Sequence, residues 1–264
     1  MSGRMTDLDG LMDFAARTAR AGGEVTLEHF GRVDVAFKQD GSEVTAADLA
    51  AETHIRRLLA ESFPDDGVLG EEHAETPSRS GRRWIIDPID GTRSFASAVP
   101  LYGVLLTLED DGRPLLGCCH FPPTGQTLVA ARGAGAWLNG ARVRASECDE
   151  LAAARVVTSG LEYWRDNGTD AQRAGWERLV RATRIARTWG DAFGYYLVAT
   201  GRAEIFADPV CGQYYDYAPF AVIIPEAGAR LTRFDGAPVA PMTSAIAANA
   251  PLHDAARAIL LGGE

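Results

Sequence analysis

The segment WIIDPIDGTRSF, residues 84–95, limits what this chain can fold into more than any other. Trp84, Ile85 and Ile86 have the aromatic and β-branched character of a buried strand, and they lead straight into two carboxylates, Asp87 and Asp90. Asp-Pro and Asp-Gly are also turn dipeptides, because Asp caps nearby backbone, Pro fixes φ and Gly permits positive φ. A plain turn is one reading. The other starts from cost: like charges crowded at the mouth of a core persist only when paired or bound to a cation. A fold for this chain has to bring that acidic corner to a place where it can be neutralised.

The rest of the chain reads as an antiparallel-rich first half and a layered α/β second half. Residues 8–30 place Leu8, Leu11, Met12, Ala15, Ala16, Ala19 and Leu27 at helical spacing, with Gly22 and Gly23 weakening the middle. A second helix is predicted over 46–62, with Leu49, Ile55, Leu58 and Leu59 facing inward and a capping box from Thr45 to Asp48. After a strand at 84–87, residues 101–131 read as a β-meander turned at Asp110-Asp111-Gly112, and Asn139-Gly140 marks another hairpin. Beyond it, strands near 155–158, 184–187, 203–206, 230–233 and 244–248 alternate with helices near 170–182, 191–201, 216–227 and 250–261. Pro225 is expected to kink or shorten the third of these helices. The pattern divides the chain into an α+β half, 1–148, and a C-terminal α/β half, 149–264.

Composition removes several classes of function. There are 26 Lys and Arg against 36 Asp and Glu, a net charge of −10, and no basic run, which argues against nucleic-acid binding. No apolar stretch approaches a membrane span and the N-terminus lacks a signal peptide's apolar core, so a cytoplasmic protein with no membrane partner is expected. Cys118, Cys119, Cys148 and Cys211 show no CxxC spacing and read as reduced thiols. His29, His54, His73, His120 and His253 form no close pair and read as surface or core side chains.

Carboxylates, by contrast, gather at the ends of predicted elements. Glu71 and Glu72 follow Val68 and Leu69, Asp87 and Asp90 end the next strand, Asp216 stands at a helix start, and Asp48 lies in the first turn of its own helix. Asp48 and Asp216 could simply cap helices, and Glu71-Glu72 could be a solvated loop. As a set, these oxygens suit Mg²⁺, a hard cation that combines carboxylates, water and substrate phosphate. The spacing over 87–92 excludes an EF-hand loop. Two ions sharing Asp87 would clamp a phosphate ester and an attacking water for in-line displacement. They would also let an acidic cluster accept an anion. Gly91 and Thr92 would then offer bare backbone N–H groups to phosphate oxygens.

With these residues in place, the chain resembles the inositol monophosphatase superfamily. The segments VTAAD (44–48), GEEH (70–73), WIIDPIDGTRSF (84–95), GAGAWLNGARVRAS (133–146) and YYDYAPF (214–220) match in order, so the likeness spans essentially the whole chain. The resemblance implies a layered αβαβα sandwich with mixed and antiparallel sheets, hydrolysis of a small-molecule phosphate monoester with two or three Mg²⁺ per site, and a homodimer. Carried over position by position, it implies one ion held by Glu71, Asp87 and the Ile89 carbonyl, and a second held by Asp87, Asp90 and Asp216. Thr92 with Asp48, beside Glu71, would position and deprotonate the attacking water, and the Gly91 and Thr92 amides would bind phosphate. Glu72 receives no role. Lys38 is a candidate for the basic residue the family often has near the phosphate.

Specificity has to come from side chains facing the alcohol. GTRSF in the third motif, WGDAFGYYLVATG (189–201) and YYDYAPFAVIIPEAGARLTRFDG (214–236) look most like the histidinol-phosphate phosphatase branch of the family. Asp191 and Asp208 would add anions suited to the amine and imidazole of a cationic alcohol, unless Asp191 merely caps the helix that follows it. DPVCGQYYD (208–216) departs from the family, being about one residue longer than its usual spacing. Inositol 1-phosphate, or the phosphate of another amino-alcohol or aminocyclitol, is therefore the alternative substrate. A bisphosphatase would need a second phosphate site, and Arg93, Arg187 and Arg202 are scattered in sequence.

Overall fold

The computed structural model describes residues 8–32, 36–37 and 43–262; Lys38 lies outside the described residues. The chain runs α1 (Leu8–His29), β1 (Ala36–Phe37), β2 (Glu43–Val44), α2 (Ala46–Ser62), β3 (Gly67–Gly70), β4 (Arg82–Asp90), α3 (Thr92–Ala96), β5 (Gly103–Asp110), β6 (Arg113–Phe121), β7 (Gln126–Ala131), β8 (Gly135–Leu138) and β9 (Ala141–Val143). It continues with β10 (Arg155–Val157), α4 (Leu161–Asp166), α5 (Asp170–Ala182), β11 (Ile185–Arg187), α6 (Ala192–Ala199), β12 (Ile205–Asp208), α7 (Tyr214–Tyr217), α8 (Phe220–Glu226), β13 (Ala229–Thr232), β14 (Ala245–Asn249) and α9 (Ala250–Leu260).

Strands β3 to β9 form a seven-stranded sheet in chain order, antiparallel throughout except for the parallel β3–β4 pair. The second sheet has five strands in the order β11-β10-β12-β14-β13 and is mixed. Helices α1 and α2 cover one face of the first sheet, α6 and α8 lie between the sheets, and α5 and α9 cover the outer face of the second. The result is the expected αβαβα layering. Period-two alternation feeds both faces of the first sheet. Trp84, Ile86, Val104, Leu106 and Cys118 pack toward α1 and α2. Leu105, Cys119 and Phe121 pack toward α6 and α8. A strand covered on both faces reads as an unbroken apolar run, which is why Trp84-Ile85-Ile86 shows no alternation.

The tight hairpins form where expected. Asp111 and Gly112 have φ of +48° and +72°, and Asn139 and Gly140 have +48° and +82°, the paired positive angles of type I′ turns. Several expectations are corrected. Gly22 and Gly23 do not weaken α1: a Cβ on Gly22 would lie 2.6 Å from Ile55 Cδ1, and one on Gly23 2.7 Å from the His120 ring, so the glycines are the notch that lets α1 close on its neighbours. Leu49 is exposed and Leu58 only half-buried, while the inward face of α2 carries Ala47, Asp48, Ala51 and Glu52. The helix expected over 216–227 is two helices, α7 and α8, with Pro219 as the N-cap of the second and Pro225 tolerated near its end. The strand placed near 203–206 lies two residues later, at Ile205–Asp208, which puts Asp208 at a strand end.

Candidate active site

The acidic corner is built by a local irregularity in β4. Asp87 still pairs in register with Leu105, but the next pair is Asp90 with Gly103, so the strand bulges between the two carboxylates. Pro88 cannot donate to the ladder, which helps to release the strand there. The Ile89 N–H donates to Asp87 Oδ1 (3.0 Å), and Thr92 Oγ1 donates to the Ile89 carbonyl (3.1 Å). Gly91 then turns the chain with φ +83°, where a Cβ would also lie 3.1 Å from the Leu101 carbonyl. Asp216 arrives from the first turn of α7. One carboxylate oxygen from each of Asp87, Asp90 and Asp216 lies within 4.8 Å of the others.

Burial and mutual repulsion push Asp87 and Asp90 toward the protonated state. Asp87 titrates well above the usual carboxylate range, first because it is buried and then because Glu71, Asp90 and Asp216 are near. Asp90 is raised in the same way, by burial and then by Asp191 and Asp216, against a hydrogen bond from the Ala192 N–H (2.7 Å). Such a set is neutralised either by protons or by a cation, and its all-oxygen chemistry fits a hard divalent ion. Asp48 lies behind this group, buried at the start of α2, where burial raises its pKa to about 6. Its Oδ2 accepts from the Thr45 N–H (2.8 Å) and hydroxyl (2.7 Å), which oppose the rise. The predicted capping box is therefore present, and only one oxygen of Asp48 takes part in it.

Glu71 follows β3 in a loop that sequence reasoning left unsupported. The support is Glu52, fully buried on α2, which accepts from the Glu72 N–H (2.7 Å) and the His73 N–H (3.2 Å) and is paired with Arg56 (2.7 Å). A Cβ on Gly70 would lie 2.0 Å from Glu52 Oε1, so the glycine before Glu71 is required for the carboxylate to reach the loop. The available signals were Gly70 itself and the Glu52–Arg56 spacing, and neither reveals burial.

A cavity of about 600 Å³ opens onto Glu71, Asp90, Gly91, Thr92 and Asp216, and it is also lined by Asp191 and Asp208. Asp87, Ile89 and Asp48 are buried beside these lining residues, Asp48 and Asp87 near enough for the charge of one to raise the pKa of the other. Asp191 has φ +53° and occupies the N-cap position of α6, yet its side chain makes no capping bond. Its N–H donates to Ser159 Oγ (2.7 Å). Both oxygens of Asp208 are engaged, by the Thr158 hydroxyl, the Ser159 hydroxyl and the Ser159 N–H (3.0 Å). Burial still raises Asp208 to about 7. Ser159, Tyr163, Asn167 and Met242 also line the cavity and were not found from sequence, because they stand in the short helix α4, at its C-cap and in turns, none with a motif of its own. The 208–216 loop is fastened by the Cys211 N–H to the Thr243 carbonyl (2.8 Å) and by the Met242 N–H to the Gly212 carbonyl (2.7 Å). Arg93 lines the cavity and pairs with Glu162 (3.1 Å), whereas Arg187 lies against Trp189 and Arg202 against Tyr196. Folding does not gather the three arginines into one site.

An acidic, cation-ready cavity between two sheets in an αβαβα sandwich defines a class, and comparison with known proteins agrees. The inositol monophosphatase family model matches residues 7–261. A histidinol-phosphatase of Chlorobaculum parvum is 43% identical over 219 residues, covering 82% of this chain and 83% of that protein. A histidinol-phosphatase of Mycobacterium tuberculosis is 38% identical over 253 residues, 93% and 95% of the two chains. Among solved structures, an IMPase of Thermotoga maritima superposes with a TM-score of 0.84 at 30% identity over 96% of each chain. The chain belongs to the inositol monophosphatase family and is a phosphoric monoester hydrolase.

Proposed function

We propose that this enzyme is a Mg²⁺-dependent histidinol-phosphate phosphatase, converting histidinol phosphate and water to histidinol and phosphate. The observation that carries the substrate assignment is Asp191, a carboxylate on the cavity wall that makes no capping bond and is held there by a strained backbone. It suits the ammonium group of a cationic alcohol better than neutral hydroxyls. Relatives named histidinol-phosphatases support the same reading. We further infer a cytoplasmic homodimer, in which residues 1–148 supply most of the cation ligands and 149–264 close the site.

Glu71, Asp87, Asp90, Asp216 and the Ile89 carbonyl would hold two or three ions. Bound divalent cations supply Lewis acidity to the phosphoryl oxygens and make a water more acidic. The chain's own groups do the rest. The Gly91 and Thr92 amides orient the phosphate, and the Thr92 hydroxyl, tethered to the Ile89 carbonyl, positions water. Asp48 accepts the water's proton at the oxygen that Thr45 leaves unoccupied, with an acidity near neutrality that suits a general base. Asp191 holds the cationic end of the alcohol while the water oxygen bonds to phosphorus and the P–O bond to the alcohol breaks, the departing alcohol oxygen taking a proton from solvent. Asp208, fastened to Thr158 and Ser159, contributes negative potential and keeps Ser159 beneath Asp191.

The test is phosphate release with Mg²⁺ from histidinol phosphate, inositol 1-phosphate and fructose 1,6-bisphosphate, using wild type and Asp191→Asn, which keeps the size and shape of the side chain and removes its charge. Wild type should prefer histidinol phosphate, and the variant should lose roughly 10- to 100-fold in kcat/KM for that ester alone. Equal loss on every ester, or a wild-type preference for inositol 1-phosphate, would reject the assignment.

A further inference from the structure

Helix α7 carries Asp216 but is only four residues long, Tyr214–Tyr217, and a helix of one turn does not hold its own orientation. It packs on β4 and β5, and there Tyr214 donates its hydroxyl hydrogen to Glu109. Glu109 is a carboxylate on β5 with 3% of its surface exposed. Its other oxygen accepts from Arg83 Nε on β4 (2.9 Å), and Arg83 Nη1 continues to Glu75 (3.0 Å), four residues beyond Glu71. Polar contacts thus run from the segment bearing Asp216, across the strands leading to Asp87 and Asp90, to the loop that follows Glu71. Arg83 is a third exposed and only Glu109 is buried, so this pair adds little net stability, and the best-attested use of such a buried charge is to fix a register. None of these four side chains lines the cavity.

We propose that Tyr214, Glu109 and Arg83 are positioning residues that set Asp216 and the Glu71 loop in register with Asp87 and Asp90, so that the carboxylates converge tightly enough to hold divalent cations. The proposal rests on the reading of those carboxylates as cation ligands given above. Tyr214 has a second role available: its ring packs edge-on against Tyr217, with centroids 5.5 Å apart. Tyr214→Phe keeps that packing and removes only the hydroxyl, so it separates anchoring from filling space.

The experiment is calorimetric titration of the metal-free protein with Mg²⁺ and with Mn²⁺, for wild type, Tyr214→Phe, Glu109→Gln and the double variant, alongside thermal melts of each metal-free form. Tyr214→Phe should bind the cations roughly tenfold more weakly, the scale on which outer partners tune metal sites. Its metal-free melting temperature should match wild type within a degree or two. The double variant should lose less than the product of the single losses, because the two residues act through one bond. Cation affinity within twofold of wild type in Tyr214→Phe overturns the proposal. So does a metal-free melting temperature that falls in step with affinity, which would make Tyr214 a general packing residue. A wild-type protein that takes up neither cation sinks the functional reading instead, a result distinct from either.

Discussion

The end of β4 and the loop from Asp208 to Asp216 both face the same cavity, and they are built by opposite means. Asp87 and Asp90 stand at the end of β4, where it pairs with β5, and the bulge between them falls at Pro88 and Ile89, with Gly91 turning the chain just after. The loop takes its shape from residues distant in sequence: Thr158 and Ser159 hold Asp208, and the 242–243 turn holds Cys211 and Gly212. On the reading proposed above, the groups that would meet the phosphate sit at the end of a hydrogen-bonded sheet strand. The wall that would meet the alcohol sits on segments whose sequence can change without disturbing that sheet. This is the division expected of a fold that keeps one reaction and varies its substrate.

Three substitutions sharpen or break that division. The largest effect belongs to the sheet side: Asp90→Asn should lower phosphate release from all esters together, by roughly a thousandfold. The metal-free variant should melt no lower than wild type, because one of a crowded set of carboxylates is gone. Loss confined to one ester would place Asp90 with the specificity wall and collapse the distinction.

On the wall side, Asp208 titrates at about 7 in the folded protein against an ordinary 3.8. Between those values the folded state holds the proton more tightly than the unfolded chain does, so its contribution to stability falls as pH rises through that window. Asp208→Asn is neutral throughout. Its melting temperature relative to wild type should therefore climb as pH goes from about 4 to about 7, as differential scanning calorimetry on metal-free protein would record. A constant difference across that range would mean that Asp208 is ionised at no cost. The smallest effect is Thr45→Ala, which should cost about 1 kcal/mol in denaturant unfolding through the lost cap. It should also move the acid limb of the kcat profile to higher pH, because the Thr45 hydroxyl holds the Asp48 pKa down.

What could be read in advance follows the same line. The antiparallel first half, the layered second half, the boundaries of α5 and the hairpin turns come from periodicity and turn chemistry, which are local, whereas the αβαβα order came from the resemblance to the family. The Asp87–Asp90 corner is local too, and three further segments in order, VTAAD, GEEH and YYDYAPF, supplied the rest of the acidic set. Glu52 was missed because an acidic residue in a helix looks solvent-facing; only the packing of Gly70 against α2 reveals that it is buried. Leu49 failed in the opposite sense, an apolar residue on a face that the fold leaves exposed. Ser159 and Met242 carry no pattern at all, since the turns that place them are shaped by partners far along the chain, and Tyr163 sits on a six-residue helix too short to show a period.

The helices between the two sheets have a consequence for how the chain is made. The first sheet is complete at Val143, yet one of its faces, with Leu105, Cys119 and Phe121, is covered by Tyr196, Phe220 and Ile223 from α6 and α8. During synthesis that face has no cover until a much later stretch of polypeptide leaves the ribosome. An apolar sheet surface waiting for its lid is where a nascent chain finds wrong partners. Slow translation or scarce chaperone should therefore harm the making of this protein before anything harms the finished molecule.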